Sequence, residues 1–235
     1  NGELLHSWKD GDARVGGFLD DYAGLGNALL DLHEATLEAR WLREVPWAVE
    51  AVLERFWEDD QGAFFDAAAG GEELVVRPRD AMDNPTPSGT SLATELLLRG
   101  ALVLARDDWR GVAGRALARE AGAVERYPLA FGSLLSALDF RLSAPVEVAI
   151  VGDPAEEATR TLLRTVHARY LPRKAVVGLL PGEKAPLESP LFAGRETLDG
   201  RPTGYVCRNY ACRRPATDPG ELHAHLDRSE EPAPT

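Results

Sequence analysis

The sequence predicts a mainly α-helical fold, helical hairpins packed side by side with a β-hairpin insertion, that gives way to a small α/β subdomain. Three observations predict it. Helices apolar on nearly every face alternate with helices that are polar on one side. A break at Ser143-Ala144-Pro145 precedes the alternation strand, helix, strand. The charge also changes character along the chain. Domain limits of 1–143 and 144–235 follow.

Gly17 to Arg40 carries Phe18, Leu19, Tyr22, Ala23, Leu25, Ala28, Leu29, Leu30, Leu32 and Ala35 around its whole circumference, which predicts a buried helix. Val45 to Glu58 is amphipathic: Val45, Val49, Val52, Leu53 and Phe56 oppose Glu50, Glu54, Arg55 and Glu58, with Pro46 in the first turn. Gly62-Ala63-Phe64-Phe65-Asp66 and Leu74-Val75-Val76-Arg77-Pro78, on either side of Gly70-Gly71, predict a β-hairpin. It feeds Asp83-Asn84-Pro85-Thr86-Pro87-Ser88-Gly89-Thr90-Ser91, a stiff polar entrance to a second all-apolar helix, Ser91 to Arg106. Trp109 to Glu125 is its amphipathic partner. A third buried helix is expected from Leu129 to Leu138, after Tyr127-Pro128.

Beyond the break, Val146 to Val151 predicts a strand, Ala155 to Tyr170 a helix and Ala175 to Leu180 a second, parallel strand. Pro181 to Pro202 is a Pro/Gly-rich loop. A third strand over Thr203 to Cys207 and a short helix over Glu221 to Leu226 precede a charged tail.

The net charge of −12 argues against nucleic acid as a partner. Arg169 to Arg214 nevertheless holds nine basic against four acidic residues, so the charge is unevenly divided. No apolar run approaches the length of a membrane span, and no membrane association is expected. The first residues lack both an initiator Met and a signal-peptide layout, which reads as a piece of something longer. Two cysteines are too few for a disulfide scaffold, so a reducing cytoplasm is the default compartment.

If the buried helices run parallel, their N-termini open together. Asp20-Asp21-Tyr22, the Asn84–Ser91 loop and Tyr127–Phe131 would then share one mouth. Helix N-termini carry partial positive charge and unpaired N–H groups, and aromatic rings beside carboxylates suit a sugar. Asp20 and Asp21 are the candidate acid–base pair; Tyr22, Asn84, Ser88, Thr90, Tyr127 and Phe131 are candidate sugar contacts. The plainer reading makes the aspartates first-turn stabilisers, Ser88 or Thr90 caps and Tyr22 core. Glu95, on a buried helix, calls for an ion-pair partner.

Cys207 and Cys212, a C-x4-C pair flanked by Arg208, Arg213 and Arg214, read either as redox-active thiols or as structural, inert cysteines. They lack the spacing of a zinc site, and no metal or other cofactor is expected. Val151-Gly152-Asp153-Pro154 lacks a phosphate-loop pattern, and Asp153 would repel a phosphate.

Taken in order, Gly16-Gly17-Phe18-Leu19-Asp20-Asp21-Tyr22-Ala23, Val76-Arg77-Pro78, Pro87-Ser88-Gly89-Thr90-Ser91, Glu125-Arg126-Tyr127-Pro128, Glu147-Val148-Ala149-Ile150-Val151-Gly152-Asp153 and Val206-Cys207-Arg208-Asn209-Tyr210-Ala211-Cys212 resemble a known family. It is the C-terminal half of the thioredoxin-domain-containing family that includes the spermatogenesis-associated protein. The resemblance implies a partial (α/α)6 toroid, similar to six-hairpin glycosidases and N-acylglucosamine 2-epimerases. It implies that a thioredoxin-like domain and earlier hairpins lie outside this sequence and would be its partners. The expected function is carbohydrate binding or processing, with a sugar ligand. The alternative is a non-catalytic protein-interaction module that accompanies a redox domain. No counterpart of the epimerases' catalytic histidines is found, since His33 lies late in its helix.

Overall fold

The computed structural model describes residues 2–70 and 76–227, and the chain divides into two compact units. The first takes in residues 1–29, 44–101 and 106–141; the second takes in 30–43, 102–105 and 142–235. The second unit thus begins next to the sequence break, and it also draws in two segments from far upstream.

The helical unit opens on an antiparallel hairpin, β1 (Leu5–Lys9) and β2 (Asp12–Gly16), exposed along its whole length and not anticipated from sequence. Helix α1 (Leu19–Thr36) follows, and Leu37 at φ 59° turns the chain into α2 (Ala39–Phe56). Helix α2 therefore starts six residues before the expected Val45, and Pro46 lies inside it rather than in its first turn. Tyr22, Trp47 and Phe56 pack ring against ring in the core of this unit.

The turn of the β-hairpin expected around Gly70-Gly71 lies outside the described residues, and the ends of its two arms meet where the Asp66 N–H donates to the Pro78 carbonyl at 2.9 Å. Two-residue strands β3 (Trp57–Glu58) and β4 (Ala63–Phe64) pair across a turn closed by Gly62, and residues 71–75 lie outside the described residues. Arg77 clamps this segment: its guanidinium donates to the carbonyls of Ala67 (2.6 Å) and Arg55 (2.7 Å), pairs with Glu58, and covers the Phe65 ring.

Helix α3 (Gly89–Leu104) is buried as predicted, with no exposed residue along its length. Glu95 finds its ion-pair partner one turn on, Arg99 at 3.5 Å. The flanking helices are less enclosed than their apolar content suggests. In α1, Leu25, Ala28, Leu32 and Ala35 form an exposed stripe at three- and four-residue spacing. After α4 (Asp107–Arg126) and a 3₁₀ turn over Pro128–Ala130, α5 (Gly132–Leu142) buries only Leu134 and Ala137. Leu129 is fully exposed. An all-apolar circumference marks the capacity to be buried; burial on every side also requires neighbours on every side, and only α3 has them here.

The sheet unit is built on β5 (Val146–Val151), α6 (Glu157–His167) and β6 (Lys174–Leu179), the expected parallel βαβ. Strand β7 (Thr203–Arg208) adds antiparallel to the other side of β5, and β8 (Ala211–Cys212) follows, giving the order β6-β5-β7-β8. Helix α7 (Pro219–Asp227) closes the described chain, and the expected tail beyond 227 lies outside the described residues. Val146, Val148, Ile150, Val176 and Val206 from the strands pack with Leu162, Val166, Leu222 and Leu226 from α6 and α7. Strand β5 is buried throughout, as befits a central strand covered on both faces.

The upstream corner at Leu37 belongs to this core. A methyl group on Gly178 would collide with the Leu37 side chain, so the glycine gives β6 its close approach. One turn before that corner, His33 is buried with both ring nitrogens engaged. Nε2 accepts the Gly178 N–H at 3.2 Å, and Nδ1 donates to the Glu38 carbonyl at 3.0 Å. Burial holds the imidazole below its ordinary value, outweighing the opposing bond to Glu38, so it is neutral. His33 thus supplies an acceptor to an N–H on edge strand β6 that no other strand reaches.

Candidate functional site

Asp83 organises the entrance to α3. Its Oδ1 accepts the Ser88 N–H (2.9 Å) and the Ser91 hydroxyl (2.8 Å), while Oδ2 accepts the Ser133 N–H in the first turn of α5 (2.7 Å). Its own N–H donates to the Ala130 carbonyl at 2.8 Å. One carboxylate therefore ties the loop to two helix starts. Burial pushes the Asp83 carboxyl up, but the hydrogen bonds from Ser88, Ser133 and Ser91 outweigh it and hold it below the ordinary range. Ser88 is the N-cap of α3, its hydroxyl oxygen accepting the Ser91 N–H at 3.1 Å.

The start of α1 is joined to the same region by Asp66. The Asp66 carbonyl accepts the Leu19 N–H, its N–H donates to the Pro78 carbonyl, and its carboxylate accepts the Asp80 N–H at 2.8 Å. The side chain of Leu19 lies against Gly89, the first residue of α3, where a Cβ would meet it at 3.0 Å. The three entrances expected from the sequence are therefore neighbours. Asp66 itself is the anomaly among these acids. Burial raises its carboxyl above the ordinary range; Asp80 and Asp20 add like-charge repulsion, and the Asp80 N–H and Arg79 only partly offset this.

The individual candidates fare differently. Asp21 accepts the Phe18 N–H at 2.8 Å and meets His6 Nδ1 at 2.9 Å, so it closes the first turn of α1 from its third position. Asp20 is exposed beside it. Tyr22 is 1% exposed, its hydroxyl accepting the Leu4 N–H at 3.0 Å, and Phe131 is equally buried. Thr90 is buried with a hydroxyl that has no hydrogen-bond partner. Asn84 is exposed, and Tyr127 is 55% exposed. The accessible face of this region is thus Asp20, Asn84 and Tyr127, with Asp66 set deeper. Asp66 and Asp80 were missed because short stretches of loop give no periodic signal. The available hint was a run of charge, Arg77 to Asp80, leading straight into a helix entrance.

In the sheet unit, Cys207 and Cys212 face each other across the β7–β8 ladder and form a disulfide. Arg195 was not singled out from the sequence. Its Nη2 donates to Cys212 Sγ at 2.8 Å and lies 3.6 Å from Cys207 Sγ. At the ends of β5 and β6 a cavity of about 380 Å³ is lined by Arg40, Arg43, Asp153 and Lys184 among others. There Asp153 caps its own turn through the Ala155 N–H. Among the described residues, no three His, Cys, Asp or Glu side chains are grouped to hold a metal, and no helix is long and apolar enough to cross a membrane.

No family model matches the chain. Relatives do. The chain is 32% identical over 217 residues to spermatogenesis-associated protein 20 of Rattus norvegicus, and equally to the proteins of that name from Homo sapiens and Mus musculus. The alignments cover 89% of this chain and 27% of each relative, so the chain spans about a quarter of their length. Over that span, it is a homologue of the spermatogenesis-associated protein 20 family.

Proposed function

We propose that the helical unit forms one wall of a carbohydrate-binding pocket in a six-hairpin, toroid-like domain, opening at the N-termini of α1, α3 and α5. The observation that carries this reading is the convergence of the three entrances, held by Asp83 and Asp66, with Asp20, Asn84 and Tyr127 accessible around them. Tyr127 offers an aromatic face for sugar C–H groups, and Asn84 and Asp20 offer hydroxyl partners.

In a processing enzyme the roles would divide by environment. Asp66, whose burial favours the protonated form, is the group suited to donate a proton, and Asp20, exposed and beside it, is suited to act as the base. Asp21 holds the turn that presents Asp20. The facing wall would correspond to parts of the longer relatives that lie outside the matched span.

The test is sugar binding by the longer protein, measured by calorimetry against a panel of monosaccharides and short glycans. Asp20→Ala and Tyr127→Ala should weaken binding, and Asp66→Asn should leave binding largely intact while lowering any turnover. Absence of binding across the panel, with none of the three variants changing any assay, would overturn the proposal. If the same variants instead altered the capture of a protein client, the reading would give way to that of an interaction module.

A further inference from the structure

The geometry points to the Cys207–Cys212 disulfide as a thiol–disulfide exchange site, in which Cys212 is the sulfur attacked and Arg195 holds the sulfur charge released. Four features of the sheet unit carry this. First, the two sulfurs differ in access: Cys207 is 2% exposed, whereas Cys212 is exposed on the outermost strand. An incoming thiolate therefore has one sulfur within reach. Second, the Arg195 guanidinium contacts both sulfurs through one nitrogen. A neutral disulfide gains little from a cation, and a thiolate gains much, so this contact favours the reduced state and the path to it.

Third, Arg195 is held for that contact. Its guanidinium lies over the Tyr205 ring at 5.0 Å, and the Tyr205 hydroxyl is fixed by the Glu196 carbonyl (2.7 Å) and the Glu196 N–H (3.2 Å). Its Nε is buried without a hydrogen-bond partner, and among the described residues its hydrogen bonds go to the two sulfurs. Fourth, the disulfide closes a depression of about 260 Å³ lined by Val206, Arg208, Ala211 and Arg213 together with the two cysteines. The surroundings of the exposed sulfur are cationic, which attracts a thiol bearing negative charge.

An external thiolate attacks Cys212 Sγ, forming a mixed disulfide as the Cys207–Cys212 bond breaks, and the bonding pair leaves on Cys207 Sγ, 3.6 Å from Arg195. A second external thiolate attacks the external sulfur of that mixed disulfide and releases Cys212 as a thiolate, 2.8 Å from Arg195. Two external thiols are oxidised to one disulfide, and the protein pair is reduced to two thiols that share the protons released. Besides the pair, the hairpin is held by the Tyr210 N–H on the Glu147 carboxylate (2.9 Å), the Tyr210 hydroxyl on the Leu102 carbonyl (3.1 Å) and the Arg213 N–H on the Val206 carbonyl (2.9 Å), so it can keep its shape when the sulfurs part. Asn209 (φ 49°) and Tyr210 (φ 61°) form a two-residue turn with both residues left-handed, a conformation that suits Asn and costs Tyr.

The experiment is differential alkylation of the folded chain, read by mass spectrometry. Excess dithiothreitol under native conditions should open the pair. At neutral pH the reduced Cys212 should then alkylate on the order of tenfold faster than the thiol of an unstructured peptide, with the advantage shrinking as salt is added. Arg195→Gln should bring Cys212 down to the peptide's rate, and Arg195→Lys should keep most of the advantage. A pair that resists dithiothreitol until urea unfolds the chain would overturn the inference. So would a Cys212 no faster than the peptide in the unmutated protein, a measurement that does not depend on whether any Arg195 variant folds.

Discussion

Replacing Asp83 by alanine removes a side chain that ties the starts of α3 and α5 together. Three donors lose their acceptor: the N–H groups of Ser88 and Ser133 and the hydroxyl of Ser91. Hydrogen bonds to a charged group contribute about 1.5–3 kcal/mol each when enclosed, and loss of a helix cap costs about 1 kcal/mol. Asp83 is only half-buried, so water takes over part of each lost bond, and about 3 kcal/mol is the reasoned total. Asp83→Asn keeps an oxygen for Ser88 and Ser91 but turns its amide N–H₂, a donor, towards the Ser133 N–H. It should cost about half as much, roughly 1.5 kcal/mol. For a chain of this size, 3 kcal/mol corresponds to about 6–12 °C in Tm. Thermal unfolding followed by circular dichroism measures both variants. Because hydrogen bonds hold the folded carboxyl down, the Asp83 contribution is present above the ordinary carboxylate value of 3.8 and is lost as pH falls through the folded value. The gap between parent and Asp83→Ala should therefore close in acid. An Asp83→Ala protein melting within about 1 °C of the parent at neutral pH would mean that Asp83 does not hold the two helix starts, since so small a shift corresponds to about 0.5 kcal/mol at most.

Asp66 should behave in the opposite sense. Its folded carboxyl is raised, so the folded state holds the proton more tightly, and stability falls as pH rises from the ordinary carboxylate value to the folded one. Asp66→Asn should flatten that part of the pH–stability curve, and urea titrations at a series of pH values would detect it. His33→Phe should cost about 2–4 kcal/mol by stranding the Gly178 N–H and the Glu38 carbonyl, and the Gly178 amide should exchange its hydrogen faster. The same variant should also remove a slope. In the parent, the buried neutral imidazole contributes stability that is present above its ordinary value of 6.5 and lost as pH falls through its lowered folded value.

The helices and the βαβ unit were legible because each carries a period that repeats over ten or more residues, whether the apolar run of α3 or the alternation from β5 to β6. What failed was local or non-local in a way no period records. The start of α2 was placed late because Leu37, rather than a glycine, takes the left-handed turn between the helices. The enclosure of α1 and α5 was overestimated because composition does not reveal which faces have neighbours. Of the candidate site, the loop from Asp83 to Ser91 was legible as a cap and an entrance. The part played by Asp83 was not, since its third partner, Ser133, is 50 residues away. Arg195 is hidden for the same reason: its sulfur partners lie 12 and 17 residues on, across loop and strand.

The corner at His33 and Leu37 has a consequence for synthesis. It leaves the ribosome 145 residues before Gly178, the strand position that takes up its imidazole nitrogen. At about 5–20 residues per second, that interval lasts roughly 7–30 s. Until β5 and β6 emerge, Leu37 lacks the strand residues it packs with in the sheet core, and His33 has the Glu38 carbonyl but not the Gly178 N–H. The sheet unit of the structure is complete only once the last third of the chain has arrived, although its upstream corner emerges early.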